Sequence, residues 1–334
     1  MAQFTIYTSS DTGGPGPITG QAGSILTVFD ACLVNGYTGH AAAGWTKPFA
    51  NSSNSGCYKQ GSGAGFAFHV QDNGGNVTST FKEAWATGWE TITAVNATNG
   101  TGSGQFPLPT QNSGHVVIPK SNTADGTARP WIIFADSATV YLFVMTGAVG
   151  AAALVYCNFR FGDVYSFRGS SDAFRCMIHS QASENSLASA GRTIDNTDRQ
   201  NSTTAGAANG SGFYVARPGG GAAGGASTVC LQIGDMTKGG ATAEGAALLG
   251  SIPTPNAYDN SFYLCPLQIC EATSQMIRGR IRGLYHVCHP LANFADGQTF
   301  QGSNDLAGKT FMIVWQSRAG GYWAVEISNT LDTN

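Results

Sequence analysis

The sequence predicts a mainly β protein made of sandwich-like antiparallel sheets, with one short N-terminal helix and long loops rich in Gly, Ser and Asn. The longest apolar region, residues 129–167, is a succession of β-branched and aromatic runs of the kind found in strands. The best helix candidate is a single short segment, residues 24–34. The 334-residue chain also contains 45 Gly, many of them in runs that separate the apolar segments.

The first 23 residues are predicted to be extended. Pro15 and Pro17 fix the backbone and lack an amide donor, so a helix cannot form there. Such an arm either packs against another subunit or is a plain surface segment.

The helix is predicted over residues 24–34. Ser24 can cap the free amides of its first turn, and Gly36 can adopt the left-handed geometry that ends a helix. The apolar residues that follow Ser24 recur at helical spacing and form one face; they are Ile25, Val28, Phe29, Cys32 and Leu33.

A hairpin is predicted next, with strands 65–72 and 76–85 joined by the turn sequence Asp-Asn-Gly-Gly. Residues 83–92 fit either a strand or a short helix, because their period does not separate the two. Residues 96–112 are predicted to be a loop, since Gly and Ser dominate and two prolines follow, and a short strand is predicted over 116–118.

The central region is predicted to hold three consecutive strands. Residues 131–135 and 139–146 are apolar at both parities, so both faces of these strands should be covered. Asp136, Ser137 and Ala138 supply the turn between them. Residues 154–167 alternate with period two and fit a third strand or a bent pair.

The second half is again predicted to be β. Pro266 makes 261–270 an edge strand or two short strands, and 276–288 should place apolar residues on one face and basic residues on the other. The remaining predicted strands are 174–179, 213–217, 228–233, 310–315 and 322–327, the last two forming a hairpin. We expect either two β domains, 1–167 and 168–334, or one continuous β domain.

The amino-acid composition of the chain limits the classes of function that it could have. Charged residues make up 11% of the chain and the net charge is −3, whereas about 25% is typical of a soluble domain. Weak charge repulsion favours association with copies of itself, and the lack of clustered Lys and Arg argues against a nucleic-acid groove. No signal peptide or apolar membrane-spanning run occurs, so we expect synthesis in a reducing cytoplasm and eight cysteines carried mostly as free, buried thiols.

Metal binding is the first chemical possibility. His286, Cys288 and His289 are the densest group of potential ligands, and Cys265 and Cys270 could lie nearby. Neighbouring strand residues point to opposite faces and the chain has no Cys-x-x-Cys motif, so a free thiol between two histidines is preferred over a zinc site. We therefore expect no metal and no cofactor.

Catalytic motifs are also weak. The Gly-Ser-Gly sequences at 61–63 and 210–212 lack the spacing of a hydrolase elbow. A glycosidase pair stays open, because its carboxylates can be far apart in sequence. The acidic candidates are Asp136, Asp163, Asp172, Glu90 and Glu326. The six Trp residues could include a sugar-stacking platform, although their apolar surroundings favour core positions.

Arg278, Arg280 and Arg282 form a row of basic residues on one predicted strand face. The row is predicted either to form salt bridges with a neighbouring subunit, to contact packaged nucleic acid, or to be a solvated strand face. These three arginines are the only residues that we predict from the sequence as a site, and the predicted site is a possible inter-subunit strip.

Short blocks along nearly the whole chain resemble a family of structural proteins from the virions of tailed bacteriophages. These blocks are TSSDTGGP (8–15), DACLVNGY (30–37), AAGWTK (42–47), KSNTADGTARPW (120–131), FGD (161–163), RGRIRGL (278–284) and LAGKTF (306–311). The resemblance implies a particle component, with no catalytic or binding residue to carry over. It implies partners that are copies of the chain and other virion proteins, with no small-molecule substrate.

Three functions remain open on these grounds. The first is a tail or head–tail component, with a capsid decoration protein as the close alternative. The second is a receptor- or glycan-binding module of the tail. The third, a glycan-degrading enzyme, lacks a sequence motif, so we expect no enzymatic activity.

Overall fold

The chain folds as a mainly β protein with a single short helix. The computed structural model describes residues 3–51, 54–72, 82–96, 99–110, 114–147, 156–181, 211–218, 261, 263–271, 276–287, 295–315 and 322–328. No helix among these residues is both long and apolar enough to cross a membrane.

The strands are numbered in chain order. They are β1 (Thr5–Thr8), β2 (Thr46–Ala50), β3 (Ser55–Lys59), β4 (Ala67–Gln71), β5 (Lys82–Val95), β6 (Gly100–Phe106), β7 (Val116–Ser121), β8 (Trp131–Ala135), β9 (Thr139–Met145), β10 (Tyr156–Asp163), β11 (Tyr165–Ser166), β12 (Cys176–Gln181), β13 (Ser211–Val215), β14 (Leu264–Glu271), β15 (Met276–Val287), β16 (Thr299–Gln301), β17 (Thr310–Trp315) and β18 (Tyr322–Glu326).

The described strands form two antiparallel sheets. The larger, 12-stranded sheet has the order β1-β8-β9-β10-β12-β7-β5-β4-β3-β2, with β13 added to β12 and β6 added to β5. The smaller, 6-stranded sheet has the order β11-β15-β18-β17-β16, and β14 pairs with the other edge of β15.

The larger sheet curves around the helix. The Phe68 ring on β4 lies 5.2 Å from Phe159 and 4.9 Å from Phe161 on β10, although three strands separate β4 from β10 in the sheet. Phe29 of the helix lies 5.5 Å from Phe68 and 5.9 Å from Phe159, so the helix fills the concave side of the sheet. This aromatic cluster forms the first hydrophobic core.

The opposite face of the larger sheet packs on the smaller sheet. Phe134, Tyr141 and Phe143 of the larger sheet share a second buried cluster with residues of β14, β15, β17 and β18. The predicted boundary at residues 167 and 168 does not divide the sheets, because β11 belongs to the smaller sheet and the later strands β12 and β13 to the larger. The alternative of one continuous β domain fits this shared core.

The helix begins at the predicted residue but is not capped as predicted. It comprises α1 (Ser24–Phe29) and continues as a π-helical turn over Asp30–Asn35, followed by Gly36 with a φ of 72°. The Ser24 side chain makes no cap; instead Oδ2 of Asp72, after β4, accepts a 3.0 Å hydrogen bond from the Ile25 amide.

The N-terminal arm packs on its own chain. Backbone pairing joins β1 to β8, Tyr7 is fully buried, and Ile18 forms a bridge to Arg129. Over β1 the segment is therefore part of the larger sheet of its own chain, and its packing against another subunit stays a prediction.

Several predicted strands are confirmed. Strands β8 and β17 have the predicted bounds, and β9 differs by one residue. Strand β4 pairs with β5 as the predicted hairpin, and residues 73–81 between them lie outside the described residues. Residues 83–92 are strand, and 154–167 contain the bent pair β10 and β11. The predicted loop 96–112 is wrong over Gly100–Phe106, because β6 pairs with β5 there. The predicted strand 228–233 lies outside the described residues.

The predicted single apolar face of β15 is wrong beyond Gly283. Gly283 has a φ of 58°, and the register with β14 shifts in this part of the strand. Such an irregularity turns the following side chains over. Ile281 and Leu284 therefore join the core between the sheets, while Tyr285 packs in a separate small cluster.

Candidate functional site

The basic row on β15 does not form a strip open to a neighbouring subunit. The Arg278 side chain is 1% exposed and holds both carboxylate oxygens of Asp172, with Nε to Oδ2 at 2.7 Å and Nη2 to Oδ1 at 2.8 Å. Burial acts to raise the pKa of Asp172, but the hydrogen bonds from Arg278 and Ser166 outweigh it and hold the pKa below its ordinary value.

Arg282 joins the two sheets. Its Nη2 donates to Oδ2 of Asp136 at 2.8 Å, and its Nη1 donates to Oγ1 of Thr139 at 2.7 Å. Asp136 lies in the turn between β8 and β9, and its other oxygen accepts hydrogen bonds from the backbone amides of Ala138 and Thr139. The pair therefore fixes β15 of the smaller sheet against a tight turn of the larger one.

Only the middle member of the row is partly exposed. The Arg280 guanidinium lies 4.8 Å from the ring centroid of Tyr165 on β11. The inter-subunit strip, the nucleic-acid contact and the solvated strand face all required Arg278 and Arg282 at the surface. These predictions are wrong for both residues, because Asp172 and Asp136 bind them inside the chain.

The acidic residues proposed from the sequence are each held by a cation. Arg175 lies 2.9 Å from Asp163, and Arg217 binds both oxygens of Glu90 at 2.7 and 2.6 Å. Lys309 lies 3.6 Å from Glu326. With the pairs of Asp136 and Asp172, all five candidates take part in ion pairs that join separate elements.

Most of the candidate metal ligands considered from the sequence lie outside what the structure describes. Cys288 and His289 are not described, nor are the side chains of His286 and Cys270. Within the described ranges, no cluster of three or more His, Cys, Asp or Glu side chains is placed to hold a metal ion. Four cysteines are described as free thiols, and Cys32, Cys57 and Cys176 among them are buried.

A Ser–His pair that the sequence did not reveal lies on β3 and β4. Oγ of Ser55 and Nε2 of His69 are 2.8 Å apart, and Ser55 donates to the carbonyl oxygen of Asn96 at 2.9 Å. Because the hydroxyl proton is used on that carbonyl, the imidazole must donate to Ser55 rather than take its proton. This polarity is that of a structural hydrogen bond, the reverse of an activated nucleophile.

A buried Lys–Asp pair fixes the helix start. The Lys120 ammonium contacts Asp72, Ser24 and the carbonyl oxygen of Gln21, and both charged side chains are fully buried. Burial raises the pKa of Asp72 and lowers that of Lys120, each opposed by the partner's charge. This node joins β7, the end of β4 and the segment before α1.

The tryptophans are mostly core residues. Trp45, Trp89, Trp131 and Trp323 are at most 5% exposed. Trp85 is half-buried and stacks on His115, with ring centroids 4.1 Å apart. The side chain of Trp315 lies outside the described residues.

An exposed apolar patch lies where β11 meets the start of β15. Phe167 is 53% exposed, Ile277 46% and Met276 40%. The Phe167 amide donates to the carbonyl oxygen of Arg278, so Phe167 lies next to the end of β15 that carries Met276 and Ile277. The Tyr165 ring lies 6.1 Å from that of Phe167 and contacts the Arg280 guanidinium. These five residues are called the β11–β15 patch below.

The three arginines of the row therefore lie in different surroundings. Two members brace the interior, and Arg280 borders an exposed apolar surface that the sequence did not single out. The chain matches no known family model, and no curated protein is significantly similar to it.

Proposed function

We propose that this chain is a structural component of a bacteriophage virion, a tail or head–tail protein held in place by contacts between subunits. The resemblance of its short sequence blocks to virion proteins supports a location in the virion. The β11–β15 patch is the observation that supports assembly. Capsid decoration is the alternative position, since it would use the same kind of contact.

The composition of the patch fits a subunit interface. Aromatic residues, Met and Arg are enriched at the centres of protein interfaces, whereas Lys, Glu and Asp are depleted there. Phe167, Ile277 and Met276 expose large apolar side chains, and Arg280 adds a guanidinium already oriented by Tyr165. Large apolar side chains left in water favour association.

The low charge of the chain supports the same function. With charged residues at 11% and a net charge of −3, copies repel one another weakly. The buried ion pairs of Arg278 and Arg282 fix the elements beneath the patch, so little ordering entropy is lost when the surface is covered. The partner to which this proposal commits is a second copy of the chain.

A glycan-binding module is less well supported. Four of the six tryptophans are buried in the described core and are not available for stacking on a sugar.

The experiment is sedimentation velocity over a concentration series. We expect the wild type to sediment as an oligomer and Phe167→Ser/Ile277→Ser to sediment as a folded monomer. Tyr263→Ser is the matched control, because Tyr263 is 52% exposed but lies at the opposite end of the β14–β15 pair. A wild type that stays monomeric, or a double variant that still associates, would contradict the proposal.

A further inference from the structure

Three polar side chains lie buried between the two sheets without hydrogen-bond partners. Asn158 and Arg160 are on β10, and His179 is the register neighbour of Arg160 on β12. Their exposures are 1%, 0% and 0%. The unpartnered atoms are Nδ2 and Oδ1 of Asn158, Nε, Nη1 and Nη2 of Arg160, and Nδ1 and Nε2 of His179.

These groups face the smaller sheet. The Arg160 guanidinium lies 5.1 Å from the ring of Trp323 on β18, and Tyr141 is its register neighbour on β9. Both Tyr141 and Trp323 belong to the apolar cluster between the sheets. Arg160 is therefore a charge inside a hydrophobic interface, and the ring contact satisfies none of its N–H groups.

Arg160 has no carboxylate partner, unlike several other arginines of the described chain. Four described arginines bind a carboxylate: Arg175, Arg217, Arg278 and Arg282. A buried charge without a counter-charge is strongly unfavourable, and buried polar groups in folded proteins are nearly always bonded. The clustering of three such residues on adjacent strands indicates an occupant that accepts several hydrogen bonds and carries negative charge.

We propose that Arg160, His179 and Asn158 form an internal binding site for a small oxyanion, held between the two sheets beneath Trp323. The planar guanidinium offers five N–H donors, and its fork matches phosphate, sulfate or carboxylate. The Asn158 amide adds N–H donors, and the His179 ring adds one more. This inference does not depend on the proposed role in a virion.

The protonation states suit an anion. Burial lowers the pKa of Arg160 to about 10, so the guanidinium is still charged at neutral pH. Burial and the Arg160 charge hold the pKa of His179 well below its ordinary value, so the ring is neutral at that pH. The site therefore carries one positive charge, and most of its polar groups are hydrogen-bond donors.

The test is thermal unfolding of the full chain in phosphate and in NaCl of equal ionic strength. At a phosphate concentration 100 times Kd, the ratio of folded to unfolded chain should rise about 100-fold, which raises Tm by a few degrees. Separate arms with sulfate and acetate distinguish a tetrahedral anion from a carboxylate.

Arg160→Met should abolish the phosphate response while its Tm in NaCl stays equal or rises, because it removes an unpaired buried charge. Arg168→Met, at an exposed position, is the control and should respond like the wild type. If Arg160→Met does not fold, Arg160→Lys replaces it and should weaken the response, because a lysine lacks the fork. Equal responses in the wild type and the Arg160 variant, or no anion response in the wild type, would overturn the site.

Discussion

Arg282 on β15 and Asp136 between β8 and β9 form an ion pair of 2.8 Å that crosses from the smaller sheet to the larger, with both side chains at most 4% exposed. The two residues are 146 positions apart in the sequence. A contact of this kind makes the pairing of the two sheets specific, because neither charge can be buried without the other.

Arg282→Met should lower the free energy of unfolding by about 3 kcal/mol or more, because it leaves the buried Asp136 carboxylate without its cation. Urea denaturation measures this difference. Lys47→Met is the matched control: Lys47 pairs with Asp30 at a partly exposed site, and the expected loss is about 1 kcal/mol or less. Equal losses in the two variants would show that the Arg282 pair does not hold the sheets together.

The separation of Arg282 and Asp136 in the sequence explains why a local sequence pattern predicts some features of the fold and not others. Strand β8 and the start of α1 follow from neighbouring residues, and both were predicted from the sequence. The roles of Arg278 and Arg282 depend on carboxylates 106 and 146 positions away, which alternation along one strand cannot reveal. The period correctly marked the basic residues of β15 but could not show that they are buried.

Two other predictions were wrong for the same reason, because they depend on residues far away in the sequence. Ser24 has the right residue type for a cap, yet the Ile25 amide at the start of the helix donates to Asp72, 47 positions later in the chain. Strand β6 contains three glycines and was predicted as loop from propensity, but pairing with β5 decides its conformation. The β11–β15 patch has no sequence signal, because Phe167 comes near the start of β15 only through the pairing of β11 with β15.

His69 should make stability depend on pH. Burial lowers its pKa to about 4, against 6.5 for the ordinary side chain, and its cross-strand neighbours Cys57 and Thr87 are uncharged. The folded chain therefore binds the proton less readily than the unfolded chain. The contribution is complete above pH 6.5 and is lost as the pH falls toward 4.

The shift corresponds to about 3 kcal/mol. We expect the stability difference between the wild type and His69→Gln to shrink by roughly that amount between pH 7 and pH 4, measured by urea denaturation at each pH. A difference that stays constant over this range would show that His69 is not held neutral by burial.

Gly162, beside Asp163 in the FGD block, should tolerate no side chain. Its φ is 134°, and a Cβ there would lie 2.3 Å from the carbonyl oxygen of Ala138. Gly162→Ala should cost about 3 kcal/mol or more, because strain and a backbone clash add. Gly16→Ala, with a φ of 82° and nothing within 4 Å of the added Cβ, should cost about 1 to 2 kcal/mol. Similar thermal unfolding of both variants would contradict the close approach.

The proposed virion function is tested most directly by counting the copies of this chain in purified phage particles. Quantitative mass spectrometry gives the count, and a cryo-electron microscopy map gives the position. The account predicts a fixed number of copies per particle, arranged symmetrically, with Phe167 and Ile277 covered by a neighbouring copy. Particles that lack the chain, or that carry it with Phe167 and Ile277 exposed to solvent, would contradict it.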